Sequence, residues 1–131
     1  YKNHKYLDFG MCAARVDDVF NYIPARLTGI LLVLSAMLLG FNVHGTISSI
    51  QRDAAKHPSP NSGFAEAGVA GALDIRLGGL NYYGGIASQR AYMGVASNIL
   101  TPEHIKKTIQ MMYMATLLFT IGITILLVLW K

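Results

Sequence analysis

Asp17, Asp18 and Asn21 fall in one short run of the chain, and Arg52, Asp53, His57 and Asn61 in another. On a helix, Asn21 is a neighbour of both Asp17, four residues away, and Asp18, three residues away. Two carboxylates and an amide oxygen form a hard-oxygen set suited to Mg²⁺, which is usually completed by substrate phosphates. The same residues also fit a structural role, with Asp18 paired to Arg15 and Asp17 capping a helix at a membrane surface. His57 is the side chain whose ordinary pKa suits general-base work near neutrality. A loop histidine is more often a surface hydrogen-bonding group, but HPSPNSG at 57–63 carries two prolines that fix the backbone around His57 and Asn61. That restriction suits a preorganised site and a rigid turn alike. Gly78-Gly79 and Gly84-Gly85 bracket Asn81, Tyr82 and Tyr83. Glycines let main chain approach a ligand and successive N–H groups can cradle an anion, although a flexible loop has the same composition.

Other chemistries are excluded by what is missing. No GxxxxGK[ST] run occurs, so a P-loop is not the nucleotide site. His4, His44, His57 and His104 lack zinc spacing, and the single Cys12 rules out an intrachain disulfide. Eleven Lys and Arg give a formal net charge of +4, but they are scattered, with Lys106-Lys107 the one adjacent pair. A nucleic-acid footprint needs a basic stripe, so no nucleic-acid partner is expected. Anionic lipid or phosphorylated substrates explain the sign of the charge equally well.

The elements that must position these groups belong to a bilayer. Only 14% of the 131 residues are charged, against about a quarter in soluble domains, and the mean hydropathy is +0.39. Thr108–Trp130 carries no charge and is bracketed by Lys106-Lys107 and Lys131. It is long enough for a hydrocarbon core of roughly 30 Å, with Trp130 at the interface. A second apolar segment, about 24–43, starts at Pro24 and holds small residues suited to packing inside a bundle. Between them, 63–73 reads as a short helix capped by Asn61, Ser62 or Gly63 with Glu66 in its first turn, and its Ala67/Gly71 and Gly68/Ala72 pairs permit close helix contact. RLGGLNYYGG at 76–85 is too rich in glycine for regular structure, and Thr101-Pro102 opens the last helix. The expected fold is all-α, a polytopic membrane helix bundle with a Gly/Pro-rich polar loop region between two apolar helices. Lys and Arg near the membrane ends tie across the two sides, so orientation is not readable.

Four ordered blocks, FGMCAARVDDVFNYIPARL at 9–27, HPSPNSG at 57–63, EAGVAGAL at 66–73 and RLGGLNYYGG at 76–85, together resemble the membrane-bound adenosylcobinamide-phosphate synthase family of cobalamin biosynthesis. Ala65 stands where that family tends to have Pro, and Asp74 where it tends to have Gly. The resemblance implies that residues 1–131 are the C-terminal part of one membrane-embedded domain, with the N-terminal remainder of the same protein as a partner. It also implies a multi-pass location in the cell membrane and contact with the lipid bilayer.

The implied activity is ATP-dependent amide formation between a propionate carboxylate of adenosylcobyric acid, a corrinoid, and aminopropanol or its O-phosphate. ATP would activate the carboxylate, and Mg²⁺ on Asp17 and Asp18 would neutralise phosphate charge. Arg26, Arg52 and Arg76 would act as anion clamps. His57, oriented by Asp53, would take the amine proton. Asn21, Asn61 and Tyr83 would position substrate, with Tyr22, Ser59, Glu66, Gly78 and Gly79 as further substrate or phosphate contacts. The competing class is a non-catalytic membrane protein, a transporter segment or a regulatory relative of the same fold, which would use the same polar residues as a path or as packing contacts. One geometric expectation separates simple from complex topologies. A straight span over Pro24–Val43 would hold the Asp pair and His57 roughly 30 Å apart. Membership of one enzyme therefore predicts that the segment does not span simply, or that 44–60 folds back, placing the carboxylates within about 15 Å of the imidazole.

Overall fold

The computed structural model describes residues 7–131, with Leu7, Asp8, Phe9 and Tyr83 described by backbone only. His4, Lys2 and Lys5 lie outside the described residues. Helix α1, Leu7–Phe20, runs almost directly into α2, Tyr22–Leu39, because Asn21 stays in the right-handed helical region and its N–H still reaches Asp17 O at 2.9 Å. α2 therefore begins two residues before Pro24, which sits in its first turn, where the missing proline N–H has no intrahelical acceptor to lose.

α2 ends earlier than the expected residue 43. Gly40 adopts a left-handed φ of 72°, and the Phe41 N–H closes back on Ala36 O at 2.8 Å. Asn42 then caps a new helix, α3, Val43–Asp53, by accepting the Gly45 N–H at 2.7 Å. A connection this short makes α2 and α3 antiparallel neighbours. A 3₁₀ turn at Ala54–Lys56 and the proline-bearing loop follow, leading to α4, Ser62–Ala72. The chain thus folds back from Gly40, as the single-site reading required.

Helices α3 and α4 touch backbone to backbone. A Cβ at Gly45 would meet Gly71 O at 2.5 Å, and one at Gly71 would strike Gly45 O and meet Ser49 Cβ at 2.8 Å. Gly71→Val therefore forces the helices apart. It is expected to lower stability by about 3 kcal/mol, the upper end of overpacking costs, read as a fall in Tm and in recovered monodisperse protein. A wild-type Tm would overturn the close-approach account. Leu32, Ala36, Ala72, Leu73, Ile75 and Met111 form the main apolar core where α2, α4 and the last helix meet.

The all-α expectation is corrected at 77–93. Strands β1, Leu77–Tyr83, and β2, Ile86–Met93, pair antiparallel across Gly84-Gly85. Both turn glycines have positive φ, which suits a two-residue hairpin loop and explains why this glycine density is compatible with regular structure. Gly78 and Gly79, expected as an anion cradle, belong to this hairpin. Their φ values of 99° and 84° accommodate an irregularity between Leu77 and Gly79, and Cβ atoms there would meet Ala91 O and the Tyr92 ring. Met93 anchors the hairpin in a second core patch with Ala54, Ala67 and Ala70.

The last helix, α5, Pro102–Leu129, starts at the expected Thr101-Pro102 pair, and His104 Nδ1 accepts the Thr101 N–H at 3.1 Å. α2 and α5 are long and apolar enough to cross a membrane, with mean hydropathies of 1.8 and 2.3 over their most apolar stretches. The stretch of α5 is nowhere buried within the chain. The hydroxyls of Thr116, Thr120 and Thr124 each donate to the carbonyl four residues back, so no hydroxyl on that face is left unpaired.

Candidate functional site

The loop 57–61 lies against the junction of α1 and α2, and this contact assembles the site. Ser59 Oγ donates to Asp18 Oδ1 at 3.2 Å, and Asn61 Nδ2 donates to Asp18 O at 2.8 Å. Asp18 turns to Ser59 and does not pair with Arg15. Asn61 Oδ1 accepts from Arg26 Nη1 at 2.7 Å. The Asn61 amide is thus engaged across the chain, which is why it occupies the N-cap position of α4 without capping it. Asp17 Oδ1 accepts from Asn21 Nδ2 at 2.9 Å, so the predicted same-face pairing is present for Asp17, whereas the Asp18 carboxylate turns to Ser59 and not to Asn21.

Arg26 is held between aromatic rings, 3.5 Å from the Tyr22 centroid and 4.5 Å from Phe64. Stacking of this kind fixes a guanidinium while leaving its edge available. No carboxylate pairs with it among the described residues. Phe64 carried no signal in the sequence, because only the α2–α4 packing brings it over Arg26.

His57 is largely buried, 15% exposed, and its neighbours differ from those expected. Nδ1 lies 3.0 Å from Ser59 N and 3.1 Å from Ser59 O, and Nε2 lies 3.8 Å from Glu66 Oε2. Asp53 does not orient it. The reason is helical: Asp53 closes α3 facing the hairpin, while the 3₁₀ turn carries His57 round towards α4. Glu66 falls in the second turn of α4, not the first, and this places its carboxylate beside His57. Ser59 links His57 and Asp18 directly, so the two motif blocks meet through one residue.

Two clefts flank the loop. One of about 510 Å³ is lined by Arg26, Gln51, His57, Pro58, Pro60 and Phe64 among others. The other, about 260 Å³, is bordered by Asp17, Asn21, Ser59 and Asn61. Asp17, Asp18, Asn21, Tyr22, Arg26, His57, Ser59, Asn61 and Glu66 therefore share one region. Arg52, Asp53, Arg76, Gly78, Gly79 and the Tyr83 backbone do not join it. Arg76 stacks over the Tyr92 ring at 4.3 Å on the hairpin.

Asp53 holds α3 to the hairpin. It is 1% exposed and accepts from Arg52 at 2.9 and 2.6 Å, from Lys56 at 2.7 Å and from the Gly94 N–H at 2.9 Å. Burial by itself pushes this carboxyl up, but the hydrogen bonds from Arg52, Lys56 and Gly94 outweigh it and hold the group well below the usual carboxylate range. α3 is neither of the two helices long and apolar enough to cross a membrane, so this balance is set outside them. A depressed folded-state value contributes stability above the ordinary Asp value of roughly 4, and that contribution is lost as pH falls below it. Asp53→Asn is expected to cost about 3 kcal/mol at pH 7 and to flatten the fall in Tm on acidification below pH ~4. An unchanged acid limb in the variant would remove Asp53 as its source.

Asp74 explains one of the two departures noted in the sequence. It adopts a φ of 53°, where glycine is favoured and Asp is tolerated, and its Oδ1 accepts from Asn42 Nδ2 at 2.6 Å. Ala65 is the fourth residue of α4, and nothing in the structure explains this departure.

Residues 1–112 match the model of the CobD/Cbib protein family. The chain belongs to that family. Among curated CobD/Cbib relatives, the cobalamin biosynthesis protein CobD of Leptospira interrogans is 47% identical over 118 residues, covering 90% of this chain and 38% of the relative. CobD of Clostridium perfringens gives the same identity and coverage. CobD of Mycobacterium tuberculosis is 51% identical over 83 residues, covering 63% of this chain and 26% of its own length. The chain spans less than two-fifths of the length of these CobD proteins. No solved structure matches it. The four blocks at 9–27, 57–63, 66–73 and 76–85 all lie inside the CobD/Cbib match, whereas most of α5 beyond residue 112 lies outside it.

Proposed function

We propose that this chain is the C-terminal part of a membrane-embedded, ATP-dependent amide ligase of cobalamin biosynthesis. The enzyme would join adenosylcobyric acid to aminopropanol or its phosphate. The observation that carries the reading is the meeting of Asp18, Ser59, His57, Asn61 and Arg26 beside two clefts, in a chain of the CobD/Cbib family. Ionisable groups beside apolar helices are costly unless paired or solvated, and here Asp18, Arg26 and His57 come together from α1, α2 and the 57–61 loop, joined by Ser59 and Asn61. α2 and α5 would place that site at the bilayer, with the upstream part of the protein completing it.

The chemistry assigns each group a task. A carboxylate is a poor electrophile, so ATP would activate it by placing on it a phosphate-type leaving group, which the attacking amine then expels as the amide forms. Asp17 and Asp18 would hold the Mg²⁺ that accompanies ATP and offsets phosphate charge. No group of three or more metal-binding side chains occurs among the described residues, so the rest of that cation's oxygen shell would have to come from substrate phosphates and water. Arg26, stacked and free of carboxylates, would bind an anionic oxygen in the larger cleft, and His57 would meet the reacting groups there. Asn61 and Ser59 fix the distance between the two clefts.

Turnover of the full-length protein with ATP, Mg²⁺, adenosylcobyric acid and aminopropanol phosphate tests the reading, with amide product as the expected result. Absence of product, in protein that binds the corrinoid, would replace the ligase with a non-catalytic relative.

A further inference from the structure

The three distances around His57 constrain where its ring keeps protons. An ionised Glu66 carboxylate 3.8 Å from Nε2 disfavours a bare lone pair there, because two acceptors would confront each other. The neutral ring therefore keeps its proton on Nε2 and accepts the Ser59 N–H at Nδ1, 3.0 Å away. A second proton goes to Nδ1, where Ser59 O, at 3.1 Å, receives it. In neither state does Nε2 offer a lone pair to an amine, and Nδ1 is closed off by the Ser59 main chain.

We propose that Glu66 is a positioning residue for His57, holding the imidazole proton on Nε2 so that the ring meets a substrate oxygen as a hydrogen-bond donor and not as a base. This deepens the ligation reading and rests on it for the identity of the substrate oxygen, a phosphoryl or carboxylate group. The 3.8 Å separation is longer than a hydrogen bond, which leaves Nε2–H free to be shared with an oxygen entering from the larger cleft. His57 is the partner Glu66 has among the described residues. The other charged groups around the ring are accounted for: Arg26 lies across the larger cleft, Asp18 is reached through Ser59, and Lys56 and Asp53 are paired with each other.

The test uses the full-length protein in lipid nanodiscs with ¹⁵N-labelled histidine, the His57 signals being assigned by their loss in His57→Asn. Wild type is expected to show the Nε2–H tautomer in its neutral ring. Glu66→Gln keeps the shape and removes the charge, so the ratio of Nε2–H to Nδ1–H should fall severalfold. Glu66→Asp should lower that ratio by less, and it serves where the Gln variant does not fold. An Nδ1–H tautomer in wild type, or a wild-type tautomer ratio in Glu66→Gln, overturns the proposal. The tautomer is read without turnover. Its expected behaviour in an inactive protein supports the pairing and sinks the ligation reading alone.

Discussion

Asp18→Asn in the full-length protein is expected to abolish Mg²⁺-dependent amide formation, a loss on the order of 10³-fold, while leaving the fold intact. The substitution is conservative in shape. An Asn Oδ1 still accepts the Ser59 hydroxyl that Asp18 accepts at 3.2 Å, and the Asp18 carbonyl still receives the Asn61 amide at 2.8 Å. What disappears is the negative charge at the point where α1, α2 and the 57–61 loop meet. Asp17→Asn should behave alike, because the Asn21 amide keeps an acceptor 2.9 Å away. Turnover measured against Mg²⁺ concentration decides the matter. Activity within about twofold of wild type, under roughly 0.5 kcal/mol of barrier, removes the metal role from this pair.

His57→Ala is expected to lower turnover by about 10²-fold, the scale for losing a group that handles protons or developing charge at the reacting atoms. The ring sits in the wall of the larger cleft with Nδ1 held by the Ser59 main chain and Nε2 towards Glu66, so its removal leaves neighbours that cannot replace it. The kinetic split is informative. A fall in kcat places His57 at the chemical step, and a rise in KM alone makes it a substrate-positioning group. A variant within about fivefold of wild type in both parameters, or roughly 1 kcal/mol, sinks either role.

Part of the candidate site's grouping was legible because its residues sit where local rules are strong. The Asp17–Asn21 pairing follows from helical spacing, and the two prolines of HPSPN announced the turning loop that the chain forms there. The failures share a cause: side-chain direction at the ends of short elements. Asp53 lies four residues before His57, a spacing that suggests contact on one helix, yet α3 ends at Asp53 and a 3₁₀ turn intervenes. Asp53 points instead to Gly94, forty-one residues away. Glu66 gave no sign of its contact with His57, since that depends on where α4 starts and on how it packs against α3.

The sequence alone determined the apolar helices, the cap at Thr101, the small-residue contact of α4 and the family, because these rest on composition, spacing and motif order. The tertiary structure decided the rest. Gly40 in a left-handed turn and Asn42 as a new cap reverse the chain, and only that reversal carries Ser59 and Asn61 back to Asp18 and Arg26. The hairpin at 77–93 escaped the sequence because positive-φ glycines satisfy both a loose loop and a tight two-strand turn. Local propensity cannot distinguish the two; packing of Met93 against Ala54, Ala67 and Ala70 does. Likewise, which carboxylate serves His57 is a property of the α3–α4 interface, where Gly45 and Gly71 allow the backbones to touch.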